Sequence, residues 1–214
     1  MLKPLLTLLI SLWSLSGMVY ADYSPDVAEF DGSSTLAFEP AASLFLGQAG
    51  TIEFWVTPDW RDTPDYDPVI LSNAGPEGAS YLIALLRDRD GLVLVSGEEE
   101  FLVAYDFTDA QMHHVALVHE DGKTIAYVDG QSQGGTEFRI QDLPSLGLWV
   151  GSADGENYPF EGAIAELRIW GIALTPEEIV QNAGRDVSNS PLSRELRAQS
   201  DFRNDAMNIA QPDE

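Results

Sequence analysis

Five Asp-Gly dipeptides divide the chain into short apolar runs, and this punctuation is the strongest constraint on the fold. They are Asp31-Gly32, Asp90-Gly91, Asp121-Gly122, Asp129-Gly130 and Asp154-Gly155. Asp-Gly tolerates the positive φ angles that two-residue hairpin turns require. Because the apolar runs between these turns have the length of strands, the pattern predicts antiparallel strands joined by tight turns.

The number and spacing of the apolar runs predict an all-β fold, a two-sheet antiparallel sandwich. The predicted strands are Val27–Phe30, Thr35–Phe38, Thr51–Thr57, Val69–Ser72, Tyr81–Leu86, Gly91–Ser96, Phe101–Tyr105, His114–His119, Thr124–Val128, Leu148–Gly151 and Ala163–Trp170. Side chains of a strand alternate between its two faces. In "AIAELRI", Ala165, Leu167 and Ile169 should therefore face the core, with Glu166 and Arg168 on an ordinary solvent-exposed surface.

One helix is predicted after the last strand, in "LTPEEIVQNAG". Thr175 can cap it, Pro176 suits the first helical position, Glu178 completes a capping box and Gly184 can end it. The polar segment 185–214 that follows is predicted to be a largely mobile tail.

The first 21 residues have the pattern of a secretory signal, with Lys3 before an apolar run and a small-residue site ending at Ala21. A membrane anchor is the alternative, but the apolar core is short for a span of about 20 residues. We therefore expect one domain over residues 22–184 and a secreted or periplasmic location, without membrane insertion after cleavage. The absence of cysteine excludes disulfides and thiol catalysis. A formal charge of −24 makes nucleic acid an unsuitable partner.

Four segments occur in an order that resembles a known family. They are "FDGSSTLAF" at 30–38, "GTIEFWVTPD" at 50–59, "HHVALVHEDGKTIAYVDGQ" at 113–131 and "LWVGSADGENYPFEGAIAELRIWGIALTPEEI" at 148–179. Together they resemble the laminin G-like, concanavalin A-like jelly-roll family, which is related in shape to the pentraxins. The resemblance implies two curved sheets packed face to face. It also implies rim loops that bind glycans or proteins, often with calcium.

The adjacent histidines His113 and His114 are predicted to have a structural role. Neighbouring residues of a strand point to opposite faces, so these two cannot share one metal ion. His119 has the parity of His113, and the chain has no further histidine to complete a three-histidine centre. The sequence also has no Gly-x-Ser-x-Gly elbow and no phosphate-binding loop.

An enzyme of the same fold is the alternative to a binding module. The resemblance implies that glucan hydrolases of this fold carry paired carboxylates on one strand, where acid and nucleophile need them. The segment "SGEEEFLVAY" would place Glu98 and Glu100 on one face. Its pattern departs from the enzymes' motif, so we expect a protein that is not an enzyme, with a carbohydrate-active hydrolase or lyase as the alternative.

Calcium is possible, although no metal ligands are assigned. The resemblance implies an ion near the first strand, but Ala165 stands where the family shows an aspartate, which leaves Asp31 without that partner. The loop "PDWRDTPDYDP" offers a second place, because its aspartates could supply oxygen ligands. These are Asp59, Asp62, Asp65 and Asp67.

Aromatic residues beside carboxylates and amides are what sugar rings need, and they identify the predicted ligand-binding residues. These are Trp60, Tyr66, Asp67, Asp154, Asn157 and Tyr158. Packing at the end of the sandwich is the alternative role for Trp60 and Tyr66. The sequence thus predicts a non-catalytic secreted module that binds a glycan or an extracellular protein. A subunit of a cell-surface assembly, docking through the tail from Arg185, is a further alternative, and the oligomeric state is not predicted.

Overall fold

The computed structural model describes residues 27–62, 64–200, 202 and 207–209, so the predicted signal at 1–21 lies outside the described residues. The strands are β1 Val27–Asp31, β2 Leu36–Phe38, β3 Ala49–Pro58, β4 Val69–Gly75, β5 Gly78–Leu85, β6 Gly91–Ser96, β7 Glu99–Ala104, β8 His113–Glu120, β9 Lys123–Val128, β10 Gln131–Glu137, β11 Leu148–Val150, β12 Glu161–Trp170, β13 Leu196–Ser200 and β14 Asn208–Ile209. Helix α1 is Pro176–Asn182, and 3₁₀ turns cover Ala42–Leu44 and Ser193–Glu195. None of the helices in these ranges has the length and apolarity needed to cross a membrane.

The strands form two antiparallel sheets, which confirms the predicted two-sheet sandwich. The first sheet has the order β10-β9-β8-β3-β12-β13-β14, with β1 also pairing with β12. The second sheet has the order β2-β11-β4-β5-β6-β7. Neighbours in space are often distant in sequence, as with β3 between β8 and β12, and this is how a jelly roll brings distant loops to one rim.

The core lies between the two sheets and is built by alternation. Ile52, Phe54 and Val56 of β3 are fully buried against inward-facing residues of the second sheet, such as Ile83 and Leu94. Burying a side chain of this size stabilises the fold by about 1.5–3 kcal/mol. A chain without cysteine can therefore be held by its core.

The hairpins that flank β9 confirm the predicted Asp-Gly turns. Asp121 and Gly122 have φ angles of 49° and 81°, and Asp129 and Gly130 have 49° and 73°. Positive φ at both central residues is the geometry that matches the twist of the paired strands. These turns fix the register of β8, β9 and β10.

Helix α1 is formed as predicted. The Thr175 side chain accepts a hydrogen bond from the Glu178 amide, the Glu178 carboxylate accepts one from the Thr175 amide, and Pro176 opens the helix. Gly184 follows the helix with a φ of 66°. Ile179 packs with Trp170 over the outer face of the first sheet, so that face is covered.

The prediction of a mobile tail beginning at residue 185 needs correction. Residues 196–200 form β13 and pair with β12, with Ala198 opposite Ile169. Val187 and Ala198 are both 1% exposed. Residues 187–200 therefore pack with the sandwich and do not form a mobile tail.

Glu166 and Arg168 are not ordinary surface, because both are 1% exposed. The register of β12 shifts between Ala165 and Arg168, and Glu166 has a φ of 50°. A bulge of this kind moves one residue out of the alternation. As a result Ala165 packs with Trp55 on the outer face of the first sheet, instead of facing the core as predicted.

A buried ionic cluster occupies this outer face, formed by Glu53, His114, Glu166, Arg168 and Trp170. Arg168 Nη2 donates to Glu166 Oε2 at 2.8 Å, and Arg168 Nη1 lies 3.3 Å from Glu53 Oε1. Trp170 Nε1 donates to Glu53 Oε1 at 3.0 Å. Burial acts to raise the pKa of Glu53, but His114, Arg168 and Trp170 outweigh it, and the pKa lies below its ordinary value.

Candidate ligand-binding site

Two loops meet at one end of the sandwich and enclose a small cleft. The loop from β3 to β4 is tied to the loop from β11 to β12, because the Asp59 amide donates to the Glu161 carbonyl and the Val69 amide to the Tyr158 carbonyl, each at 2.9 Å. We name the cavity between them the rim cleft. Its volume is about 150 Å³, and its lining residues are Pro58, Asp59, Trp60, Asp62, Pro64, Tyr66, Pro68, Leu85, Pro159, Phe160 and Glu161.

Trp60 is held in place from two sides. Its indole Nε1 donates to the Phe107 carbonyl at 3.2 Å. The Arg89 guanidinium lies 5.1 Å from the centroid of the indole ring and donates to the Trp60 carbonyl at 3.1 Å. Trp60 remains partly exposed. The ring is therefore a fixed wall of the rim cleft and also packs against the core.

Tyr66 forms a second wall and contacts Tyr158. The two rings meet edge to face, with centroids 5.9 Å apart and planes at 74°. Burial raises the pKa of the Tyr66 phenol, and the negative charges of Glu161 and Asp65 add to this rise. Tyr158 is 53% exposed, so it borders the rim cleft and is not enclosed by it.

Three carboxylates line the same cleft: Asp59, Asp62 and Glu161. The Arg61 side chain and amide donate to Asp59 and lower the pKa of that carboxyl group. Glu161 opens β12, about a hundred residues after Asp62 in the sequence. Sequence reasoning missed Glu161 because no local pattern marks it, and only the pairing of β12 with β3 brings it to this loop.

Asp67, Asp154 and Asn157 form hydrogen bonds with nearby residues of the loops. The Arg87 amide donates to Asp67 Oδ1 at 2.9 Å. Asp154 Oδ1 accepts from the amides of Glu156 and Asn157, and Asn157 Nδ2 donates to Asp154 Oδ2 at 2.7 Å. Asp67, Asp154 and Asn157 do not line the rim cleft, whereas Trp60 and Tyr66 do.

The possible calcium positions hold local hydrogen bonds. Asp31 Oδ1 accepts from the amides and hydroxyls of Ser33 and Ser34. Within the described ranges, no three acidic or histidine side chains lie together as a metal site would need.

His113 and His114 lie on opposite faces of β8, as alternation predicts. Both are buried, and His114 Nε2 lies 3.4 Å from Glu53 Oε2. His113 is clamped between two carboxylates: its Nδ1 lies 2.7 Å from Asp129 Oδ2 and its Nε2 lies 3.0 Å from Asp109 Oδ1. His113 thus links β8 to the turn after β9 and to the loop before β8, and His114 links β8 to β3.

Stability should fall as the pH rises past the titration of His113. Burial opposes the charged ring, but Asp129 and Asp109 outweigh burial and raise the pKa of His113. The contribution of the clamp is therefore fully present below about pH 6.5, the unfolded value, and is lost as the pH rises through the raised folded pKa. We expect a loss of about 1 kcal/mol, since a neutral ring can donate to only one carboxylate and Asp109 is half-exposed. Urea unfolding across this range should show the loss in the parent and not in His113→Gln.

His119 provides the matched control with the opposite sign. Burial lowers the pKa of His119. Protonation of this residue at acidic pH therefore destabilises the fold, whereas a rise in pH above neutral does not. The His119→Gln variant should keep the loss above neutral pH. An identical pH profile for the parent and His113→Gln would contradict the role assigned to the clamp.

The prediction that Glu98 and Glu100 share one face of a strand is wrong. Glu98 lies in the turn between β6 and β7, where Gly97 has a φ of 59°, and Glu100 is in β7 opposite Val95. The turn interrupts the alternation on which the pairing depended. Both side chains are exposed on this hairpin, so the arrangement provides no paired carboxylates on one strand face.

The profile of a laminin G family, described as "Concanavalin A-like lectin/glucanases superfamily", matches residues 30–180. The chain therefore belongs to the concanavalin A-like lectin/glucanases superfamily. A mouse relative, "Sushi, von Willebrand factor type A, EGF and pentraxin domain-containing protein 1", is 32% identical over 108 residues. That match covers 44% of this chain and only 3% of the mouse protein.

Solved structures share the fold at low identity. A proposed carbohydrate binding protein from Bacteroides ovatus has a TM-score of 0.64 at 22% identity, over 82% of this chain and 51% of its own. Domain 4 of the arabinanase AbnA from Geobacillus stearothermophilus, in complex with arabinotriose, has a TM-score of 0.56 at 20% identity, over 72% and 75%. A Ruminococcus gnavus sialidase module bound to sialyllactose has 0.54 at 13% identity, over 72% and 96%.

Proposed function

We propose that this protein is a recognition module that binds a glycan in the rim cleft. One observation carries the proposal: two aromatic walls, Trp60 and Tyr66, stand in a single cleft with the carboxylates of Asp62 and Glu161. The C–H face of a sugar packs on an aromatic ring, and carboxylates accept hydrogen bonds from its hydroxyl groups. Neither the aromatic rings nor the carboxylates alone would distinguish a sugar-binding site from ordinary packing.

The size of the cleft limits what can enter it. Its volume of about 150 Å³ is well below the roughly 300–1,000 Å³ of pockets that enclose drug-sized ligands. A cavity of this volume best suits a single sugar unit at the end or side of a longer glycan. The rest of the glycan would then lie across the exposed rim, where Tyr158 is available.

The setting of the proposed module is outside the cytoplasm, and its action is binding without catalysis. The secretory pattern of residues 1–21 supports the location. The structural neighbours support the ligand class, since one is a proposed carbohydrate binding protein, one is an arabinotriose complex and one is a sialyllactose complex. An assay for new reducing ends with polysaccharide substrates tests the absence of catalysis.

Trp60→Ala and Tyr66→Ala should each weaken glycan binding about tenfold or more, which corresponds to about 1.4 kcal/mol. The reason is that each removes one ring face on which the sugar packs. A glycan array should first identify a ligand for the mature protein. Isothermal titration calorimetry should then measure the affinity of each variant.

Tyr66→Phe is the conservative control, because it keeps the ring and should keep most of the affinity. Leu146→Ala is the surface control, since Leu146 is 66% exposed and does not line the rim cleft. Thermal unfolding must show that Trp60→Ala is folded, as Trp60 also packs on the core. Unchanged affinity in both alanine variants would place the sugar elsewhere.

A protein surface is the second candidate ligand, and one observation favours it. The outer face of the second sheet is apolar: Leu102 is 62% exposed and pairs with Val93, next to the partly buried Val95 and Leu82. Exposed apolar patches on a soluble domain mark interaction sites. Loss of partner binding in Leu102→Asp, with glycan binding intact, would identify this face as a separate interface.

A further inference from the structure

The rim cleft has an unbalanced charge. Asp59, Asp62 and Glu161 line it, and among the described residues that line it none is basic. Arg61 forms an ion pair with Asp59, but the Arg61 side chain is 84% exposed and does not line the cleft. Asp62 and Glu161 form no ion pair with another described residue.

The negative potential reaches the aromatic walls. The charge of Glu161 acts on the Tyr66 phenol and adds to the effect of burial on its pKa. Charges in a cleft with apolar walls interact more strongly than charges in open water, because the apolar walls lower the local dielectric. A group that enters between Tyr66 and Glu161 would therefore meet a negative field in a partly dry site.

Trp60 is an aromatic wall of the same cleft, and its ring already interacts with a cation of the protein itself. The Arg89 guanidinium lies 5.1 Å from the centroid of the indole, so the attraction of an incoming ammonium group must come from the carboxylates and not from this ring. Trp60 also borders the rim cleft, which combines an aromatic wall with carboxylates around one small volume.

We propose that the rim cleft selects a sugar that carries a protonated amine, in preference to the same sugar with its amine acetylated and to anionic sugars. The inference rests on the proposed function, whose ligand class it narrows. The ammonium group would lie near Asp62 and Glu161, and the C–H face of the ring would pack on Trp60 or Tyr66. Acetylation removes the charge and adds bulk, whereas an anionic group would be repelled by Asp62 and Glu161.

The test compares two probes of equal length, a fully deacetylated chitosan hexasaccharide and its fully N-acetylated counterpart. Calorimetric titrations of the mature protein should be done near pH 5.5, where the sugar amine is protonated. We expect the deacetylated probe to bind at least about tenfold more tightly. This preference should shrink as salt is raised, because the attraction is electrostatic and partly exposed.

Two variants test whether the cleft is responsible. Glu161→Gln and Asp62→Asn should reduce the preference for the amine to about threefold or less, by removing one charge each while keeping the shape. The control Glu120→Gln removes an equal charge at the other end of β3, where Glu120 pairs with Ala49. It should leave the preference unchanged, since the cleft lies at the Pro58 end of β3.

The outcomes separate this inference from the proposed function. If the acetylated probe binds as tightly as the deacetylated one and Trp60→Ala weakens both, the amine preference is overturned and the proposed function stands. If Glu120→Gln reduces the preference as much as Glu161→Gln, the net charge of the chain attracts the probe and the inference is overturned. If no sugar of a broad panel binds, the proposed function and this inference both fail.

Discussion

Replacing Arg168 with methionine is expected to destabilise the protein by about 3–5 kcal/mol, a large loss for a single side chain. Arg168 is 1% exposed and holds the charges of Glu53 and Glu166 beneath the segment that follows α1. It also donates to the carbonyls of Asn182 at 2.9 Å and Arg185 at 2.6 Å. Without the guanidinium, buried carboxylates and carbonyls lose the cation that compensates them.

An exposed ion pair of the same protein provides the matched control. Lys123 and Glu137 are joined at 3.1 Å on the hairpin of β9 and β10, with side chains that are 66% and 78% exposed. Lys123→Met should change stability by no more than about 1 kcal/mol, because water screens this pair. Urea unfolding at neutral pH measures both variants. A change below about 1 kcal/mol in Arg168→Met would mean that the cluster contributes little.

A double variant separates the charge effect from packing. Glu53→Gln combined with Arg168→Met removes one buried carboxylate together with the guanidinium, so it should be less destabilised than the sum of the two single variants. Methionine has an apolar volume similar to that of the arginine side chain, so the substitution leaves only a small cavity. Simple additivity would show that the loss comes from packing and not from an uncompensated charge.

The parts of the fold that were predicted from the sequence are those encoded locally. Neighbouring side chains of a strand point to opposite faces, so alternation along β3 separates the core residues Ile52, Phe54 and Val56 from Glu53 and Trp55 on the outer face. The turns of β8 to β10 are encoded by Asp-Gly, and α1 by its capping box, within a few residues each. Local signals of this kind do not depend on the rest of the chain.

The parts that were missed depend on distant partners. None of the side chains of the polar strand β10 is buried, and the strand is held through its backbone pairing with β9. Strand β13 contributes Ala198 to the core, but its apolar alternation is limited to Leu196 and Ala198, and the strand forms by pairing with β12. Arg168 is buried because the end of α1 and the segment after it cover the outer face of the first sheet, and its partner Glu166 is a non-glycine residue with positive φ that no propensity predicts.

The residues of the candidate site also divide into those that a local pattern identifies and those that depend on distant strands. Trp60 and Tyr66 could be chosen because large aromatic residues stand out in a loop of aspartates and prolines. Glu161 could not be chosen, because β12 reaches that loop only through its pairing with β3. Asp154 and Asn157 were chosen for their chemistry, but short loops of this composition satisfy their own amides.

Ending the chain at residue 184 is expected to abolish cooperative folding. Val187 is 1% exposed, Ala198 1% and Phe202 8%, and β13 covers the edge of β12 at Leu167 to Trp170. Each large apolar side chain that is lost removes about 1.5–3 kcal/mol of burial. The carbonyl of Arg185, which accepts from buried Arg168, is lost as well. The sum approaches the whole stability of a typical domain, about 5–15 kcal/mol.

A second truncation makes the experiment specific to the strands. A chain that ends at residue 209 keeps β13 and β14 and should match the full chain in its thermal midpoint and in its resistance to protease. The chain that ends at 184 should show no sharp thermal transition and rapid cleavage, because β12 would then present an unpaired edge beside an exposed apolar surface. If the shorter chain instead melts cooperatively near the full-length midpoint, residues 185–209 are an addition to a sandwich that is complete without them, and the domain ends at residue 184 after all.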